Sequence, residues 1–116
     1  MIRLIQQPAR LDSATLEDWG PVKEPVGGGT ISKLRGKAAN AEGEPDYGIW
    51  ECSPGRWRRQ VKEAEFTHFL SGRCTFTADD GQVVEINAGD TLYFPAMSMG
   101  IWDVHETVRK VYFLVK

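Results

Sequence analysis

The chain has 116 residues, of which 41% are hydrophobic and 26% charged, with a formal net charge of −2. That balance fits a single ordinary globular domain, residues 1–116, and excludes a disordered chain. It also excludes a broad positive field for nucleic acid or an anionic membrane surface.

The opening "MIRLIQQPARLD" lacks the long apolar run of a signal peptide, and no apolar stretch approaches the ~20 residues of a membrane helix. A cytoplasmic location is expected, with Cys52 and Cys74 as small reduced core side chains rather than a disulfide framework. "IRLI" is apolar enough to add as an edge strand to a partner subunit, and a homodimer would cover such edges. The best helix candidate is "SATLEDW", Ser13 to Trp19, with Ser13 as N-cap and Gly20-Pro21 as the stop. "EPVGGGT" reads as a loop, since no helix with a Lys-Ser/Thr start follows that would make it a phosphate cradle. "AANAEGEPD" is a second polar loop.

From Tyr47 onward short runs rich in Val, Ile, Phe, Tyr, Trp and Thr alternate with turn signals. "YGIWECS" and "RWRRQV" read as strands. "EFTHFL" follows, with Ser71-Gly72 turning into "RCTFTA" and Asp80-Gly81 turning into "QVVEI". "TLYF" ends at Pro95, and "GIWDVH" and "VRKVYFLVK" finish the chain. Eight or so strands at this spacing predict an all-β, antiparallel double-sheet barrel with at most a short N-terminal helix.

The stretch "GIWECSPGRW…EFTHFLSG…DDGQVVEINAGDTLYFPAMSMGIWDVHETVRKVY" resembles the small single-domain cupins. More narrowly it resembles the group of the ureidoglycine aminohydrolase cupin domain, which includes the ethanolamine-utilisation cupins. The likeness runs from Gly48 to Lys116, with residues 1–47 as N-terminal strands and loops. It implies a double-stranded β-helix, that is, a conical jelly-roll barrel with an internal pocket, commonly assembled as a homodimer.

Metal-binding cupins share the motifs G-x5-H-x-H-x3–4-E-x6-G and G-x5-P-x-G-x2-H-x3-N. Here Glu65 and Gly72 fit the end of the first, and its histidine positions fall on Arg58 and Gln60, or on Arg59 and Val61. In the second, Gly89 and Pro95 fit, but Met97, Gly100 and Val104 replace the inner glycine, the histidine and the asparagine. Only Glu65 remains of four expected ligands. Strand alternation then points Glu65, Thr67, Trp102 and the lost ligand position Gly100 inward. His68, Asp103 and His105 fall on the outer face, so no metal site is expected; the alternative is a divalent metal at Glu65.

The expected ligand-binding pocket comprises Arg58, Gln60, Glu65, Thr67, Tyr93 and Trp102, with Arg59 a second candidate partner for Glu65 and space opened at Gly100. Trp50 and Trp57 are read as packing between sheets. The leading functional expectation is a metal-free cupin binding a small polar metabolite. The alternatives are a metal-dependent enzyme on a ureido or amino compound, and a non-catalytic accessory module. No nucleophile arrangement can be assembled, and neither nucleic acid nor membrane is an expected partner.

Overall fold

Two long strands organise the molecule. The computed structural model describes residues 1–115; Lys116, the last residue of the resemblance, lies outside them. In chain order the strands are β1 (Glu17–Pro21), β2 (Lys33–Ala38), β3 (Asp46–Cys52), β4 (Gly55–Arg59), β5 (Ala64–Ala78), β6 (Val83–Asn87), β7 (Thr91–Phe94) and β8 (Gly100–Val115).

Strands β5 and β8 pair antiparallel from Ala64↔Val115 to Ala78↔Gly100. The first part of β8 also pairs with β4, and the rest pairs with β3, which leads on to β2 and β1. The first part of β5 also pairs with β7, and the second with β6. Two facing sheets are thus built on one shared, bent pair, which is the all-β jelly roll expected from the sequence. The inward faces supply the core: Cys52, Phe69, Cys74, Phe76, Ile86, Phe94, Trp102, Val104 and Val108.

The corner explains one departure from the sequence reading. Ser71-Gly72 does not reverse the chain; β5 runs straight through it. The β5–β8 register slips three times between Phe69 and Cys74, a bulge that bends both strands and reverses which β5 side chains face inward, while alternation along β8 is kept. Inward positions run Glu65, Thr67, Phe69 before the bulge and Cys74, Phe76 after it. Gly72 sits at φ +82°, and a Cβ there would lie 2.1 Å from the Thr107 carbonyl oxygen. Glycine is required here for a close approach of two backbones, not for a hairpin. "GIWDVH" and "VRKVYFLVK" are likewise one strand.

The expected helix at Ser13–Trp19 reduces to a 3-10 turn at Ser13–Thr15, capped by the Asp12 carboxylate, which accepts from the Ala14 N–H at 2.9 Å. Trp19 belongs to β1 instead. Asp90 accepts the Asn87 N–H at 2.8 Å and braces the turn into β7. Among the described residues no helix is long and apolar enough to cross a membrane.

Candidate ligand-binding site

The site is assembled by cross-strand register. Side chains directly opposite one another on paired strands share a face. Trp57 of β4 lies opposite Trp102 of β8, and Arg59 lies opposite Gly100. Trp50 of β3 lies opposite Lys110 of β8. Since Trp102 faces the barrel axis, Trp57 and Arg59 do too. Continuing along β8 in steps of two brings Lys110 and Tyr112 to the same side.

These residues surround a cavity of about 350 Å³ whose lining includes Trp50, Trp57, Arg59, Glu65, Trp102 and Lys110. Exposed Trp19 and Ala38 also line it and mark its mouth. Asp46 and Tyr112 line it as well, the Tyr112 hydroxyl donating to Asp46 Oδ1 at 3.1 Å. Trp19 lies over Gly36, where a Cβ would meet its ring at 2.2 Å.

Three buried charged groups meet inside. The Lys110 ammonium donates to Glu65 Oε2 at 2.6 Å. It also stands 4.4 Å from the ring centroid of Trp50 and 5.4 Å from that of Trp102, so aromatic faces take the place of water around the cation. Arg59 Nη2 lies 3.2 Å from Glu65 Oε1, an ionic contact not directed as a hydrogen bond. The guanidinium carbon stands 4.2 Å from the Phe94 ring centroid. Arg59 is 1% exposed, yet none of its three side-chain nitrogens has a hydrogen-bond acceptor.

Burial opposes the Glu65 charge, but the Lys110 and Arg59 cations and the Lys110 hydrogen bond outweigh it and hold the carboxyl below its ordinary value. Burial pulls Lys110 and Arg59 down, and the Glu65 charge offsets part of that. Arginine remains protonated regardless. The cluster therefore sets the Arg59 guanidinium and the Lys110 amine, 2.6 Å from Glu65 Oε2, against one carboxylate.

Of the six residues expected to form the pocket, Glu65 and Trp102 line the cavity. Thr67 faces inward, but its hydroxyl is spent on the Val111 carbonyl at 2.8 Å and it does not line the cavity. Arg58, Gln60 and Tyr93 require correction. Arg58 points outward and makes a two-pronged pair with Asp79, at 2.9 and 2.6 Å. Gln60 is exposed beyond the end of β4. Tyr93 lies on the outer face because its neighbour Phe94, opposite Glu65, takes the inward place. Gly100 opens no space either: a Cβ there would meet the Thr77 carbonyl oxygen at 2.3 Å and the Phe76 ring at 2.7 Å.

The cavity also holds Lys110, which is outside the pocket expected from the sequence, and Trp50 and Trp57, expected there only as packing between sheets. One signal would have found Lys110: the parity that places Trp102 and Val104 inward extends to Val108, Lys110 and Tyr112 once β8 is read as one strand.

The donor set does not fit a divalent cation. Glu65 has one oxygen taken by an ammonium and the other 3.2 Å from a guanidinium. His68 instead bonds Thr91 at 2.7 Å on the exposed side, and His105 bonds Thr75 at 3.1 Å. Among the described residues no three His, Cys, Asp or Glu side chains are grouped to hold an ion.

Comparison with known proteins follows the same outline. The family described as the EutQ-like cupin domain matches residues 39–112. The chain is similar to the Clostridium difficile EutQ protein at 16% identity and a TM-score of 0.64, covering 72% of this chain and 68% of that one. A DUF861-family protein of Thermotoga maritima is 33% identical, with a TM-score of 0.56 over 58% of this chain and 76% of that one. A DUF861 protein of unknown function from Pseudomonas syringae pv. tomato reaches a TM-score of 0.73 at 20% identity, over 86% of this chain and 44% of that one. No curated protein matches.

Proposed function

This chain belongs to the EutQ-like cupin domains, and we propose that it binds a small polar metabolite inside the barrel without a resident metal ion. The observation that carries this reading is the tryptophan-walled cavity with Glu65, Lys110 and Arg59 in its lining. Its volume, about 350 Å³, falls in the range of small-molecule sites, and apolar walls with a few convergent polar groups are their usual make-up. A cation pair around the one motif carboxylate supports a metal-free role. The Lys110 amine engages one Glu65 oxygen at 2.6 Å, which supports a carboxylate used for pairing rather than for ligating a metal.

The same reading places the protein in the cytoplasm as a homodimer. Two free cysteines, both buried, suit a reducing compartment. Tyr93, Phe66 and Phe113 form an exposed aromatic row across β7, β5 and β8 that suits contact with a second copy.

The test is a thermal-shift and tryptophan-fluorescence screen of a small-fragment library, run in EDTA on protein purified without a tag. A saturable response that Trp50→Ala abolishes supports the reading. A response that needs added manganese or zinc moves the assignment to the metal-dependent enzyme. A silent library with and without metal leaves the accessory module.

A further inference from the structure

We propose that the ligand is a monoanion, specifically a carboxylate carried on a small planar apolar body, and that Arg59 is its anchor. This rests on the cavity being a binding site and adds the chemical class of what enters it.

Arg59 carries the argument. A guanidinium offers five N–H donors in a planar fork that matches a carboxylate edge to edge. In this barrel Arg59 belongs to the cavity lining, and the nitrogens of its fork are buried and donate to nothing. Buried polar groups in folded proteins are hydrogen-bonded almost without exception, and an unsatisfied charged donor is the costliest kind to leave. Glu65 does not satisfy it. That carboxylate is committed to Lys110 at 2.6 Å and meets Arg59 only as a charge at 3.2 Å. A water molecule can accept an N–H but leaves the charge uncompensated; an anion does both.

The charge count sets the valence. The lining holds two basic side chains, Arg59 and Lys110, and two carboxylates, Glu65 and Asp46, so the Arg59 fork can take one negative charge and the cavity tolerates no second. A dianion would overshoot and would also meet the Asp46 carboxylate elsewhere in the cavity lining. An ammonium ligand would face Lys110 and Arg59 together. The walls set the body. Trp50, Trp57 and Trp102 pack on one another, with ring centroids 6.2 to 6.5 Å apart, and together give the cavity an aromatic wall suited to a flat apolar group.

The experiment compares benzoate, benzamide and benzylamine by calorimetry and tryptophan fluorescence. These share a ring and differ in charge. Benzoate is expected to bind at least about tenfold tighter than benzamide, and benzylamine not measurably. Arg59→Gln should bring benzoate and benzamide within about twofold of each other, because the charged fork is gone. Glu65→Gln should move the other way and tighten benzoate severalfold, since it removes the competing anion. Arg58→Gln, one residue along and outside the barrel, should change nothing.

If Arg59→Gln does not fold, the wild-type order and the Glu65→Gln shift decide the matter. Benzamide or benzylamine preferred over benzoate overturns the anion assignment and leaves the binding site standing. So does benzoate binding that neither variant alters. Should none of the three bind, the fragment library decides: hits confined to anions support the assignment and neutral or cationic hits overturn it. A silent library overturns both.

Discussion

Arg109 and Lys110 are neighbours in β8 and serve opposite faces of the sheet, and the two charge clusters they anchor differ in one respect. On the outer face Arg109 is 5% exposed and fully engaged. Its Nε and Nη2 donate to Glu51 Oε2 at 3.0 and 2.6 Å, and Nη2 also reaches Ser13 Oγ at 3.2 Å. Its Nη1 donates to the carbonyls of Pro8 and Leu11. Those bonds fasten the N-terminal segment across the outside of the barrel. On the inner face Arg59 is as deeply buried and donates to nothing. A saturated buried arginine is a clamp that holds chain to chain. An unsaturated one, lining a cavity, is a site awaiting an acceptor. Burial and charge alone do not separate the two; the hydrogen-bond tally does.

The largest effect expected from this contrast is on the clamp. Arg109→Met strands Glu51 as an unpaired buried charge and frees the N-terminal segment. Chemical denaturation should show a loss of about 3–5 kcal/mol, with early proteolytic cleavage before Leu16. A loss near zero would mean that the outer cluster does not hold the segment.

Next comes acid. The Glu65 carboxyl is held below its ordinary value of 4.5, so the folded state favours its ionised form. Its contribution is complete above that value and is lost as the pH falls through the lower folded one. The stability of Glu65→Gln should therefore fall less steeply than wild type over this window, by up to about one proton of pH dependence. Parallel acid curves would mean that Glu65 is not held ionised by the cations.

Thr67→Val removes the bond to the Val111 carbonyl and should lower stability by about 1 kcal/mol, with benzoate binding intact. A binding defect would return Thr67 to the site.

The smallest stability change is the most telling. Arg59→Met replaces an unsatisfied cation by a flexible apolar chain that can still contact Phe94. Denaturation should find it within about 1 kcal/mol of wild type, while benzoate binding is lost. A loss as large as that of Arg109→Met would make Arg59 a structural ion-pair member and remove the ground for an anion site.

The sequence made the barrel legible through its short β-rich runs and turn pairs, and motif spacing together with alternation correctly pointed Glu65, Thr67 and Trp102 inward. What failed was the phase of alternation where the local pattern offers no reference residue, and the continuity of strands across apparent turns. The Ser71-Gly72 signal means a turn in most strand patterns. Here it is a bulge, because a facing backbone comes close enough that only glycine fits. Breaking β8 near Glu106 reset the count and hid Lys110. The choice between Arg58 and Arg59 turned on which residue stands opposite Gly100, a pairing made by folding rather than by local pattern. Tyr93 and Phe94 are both plausible inward residues in "TLYF"; their order was settled by Phe94 lying opposite Glu65.

The glycine at the corner has a consequence for recognition. Arg59 rides on β4, in one sheet, whereas Glu65 and Lys110 ride on the portions of β5 and β8 that form the other. The gap between guanidinium and carboxylate is therefore an aperture governed by the dihedral between two walls, and Gly72 is the pivot at which that dihedral is set. Any larger residue at the pivot would splay the walls and spoil the fit at the anchor without touching a single group that meets the guest.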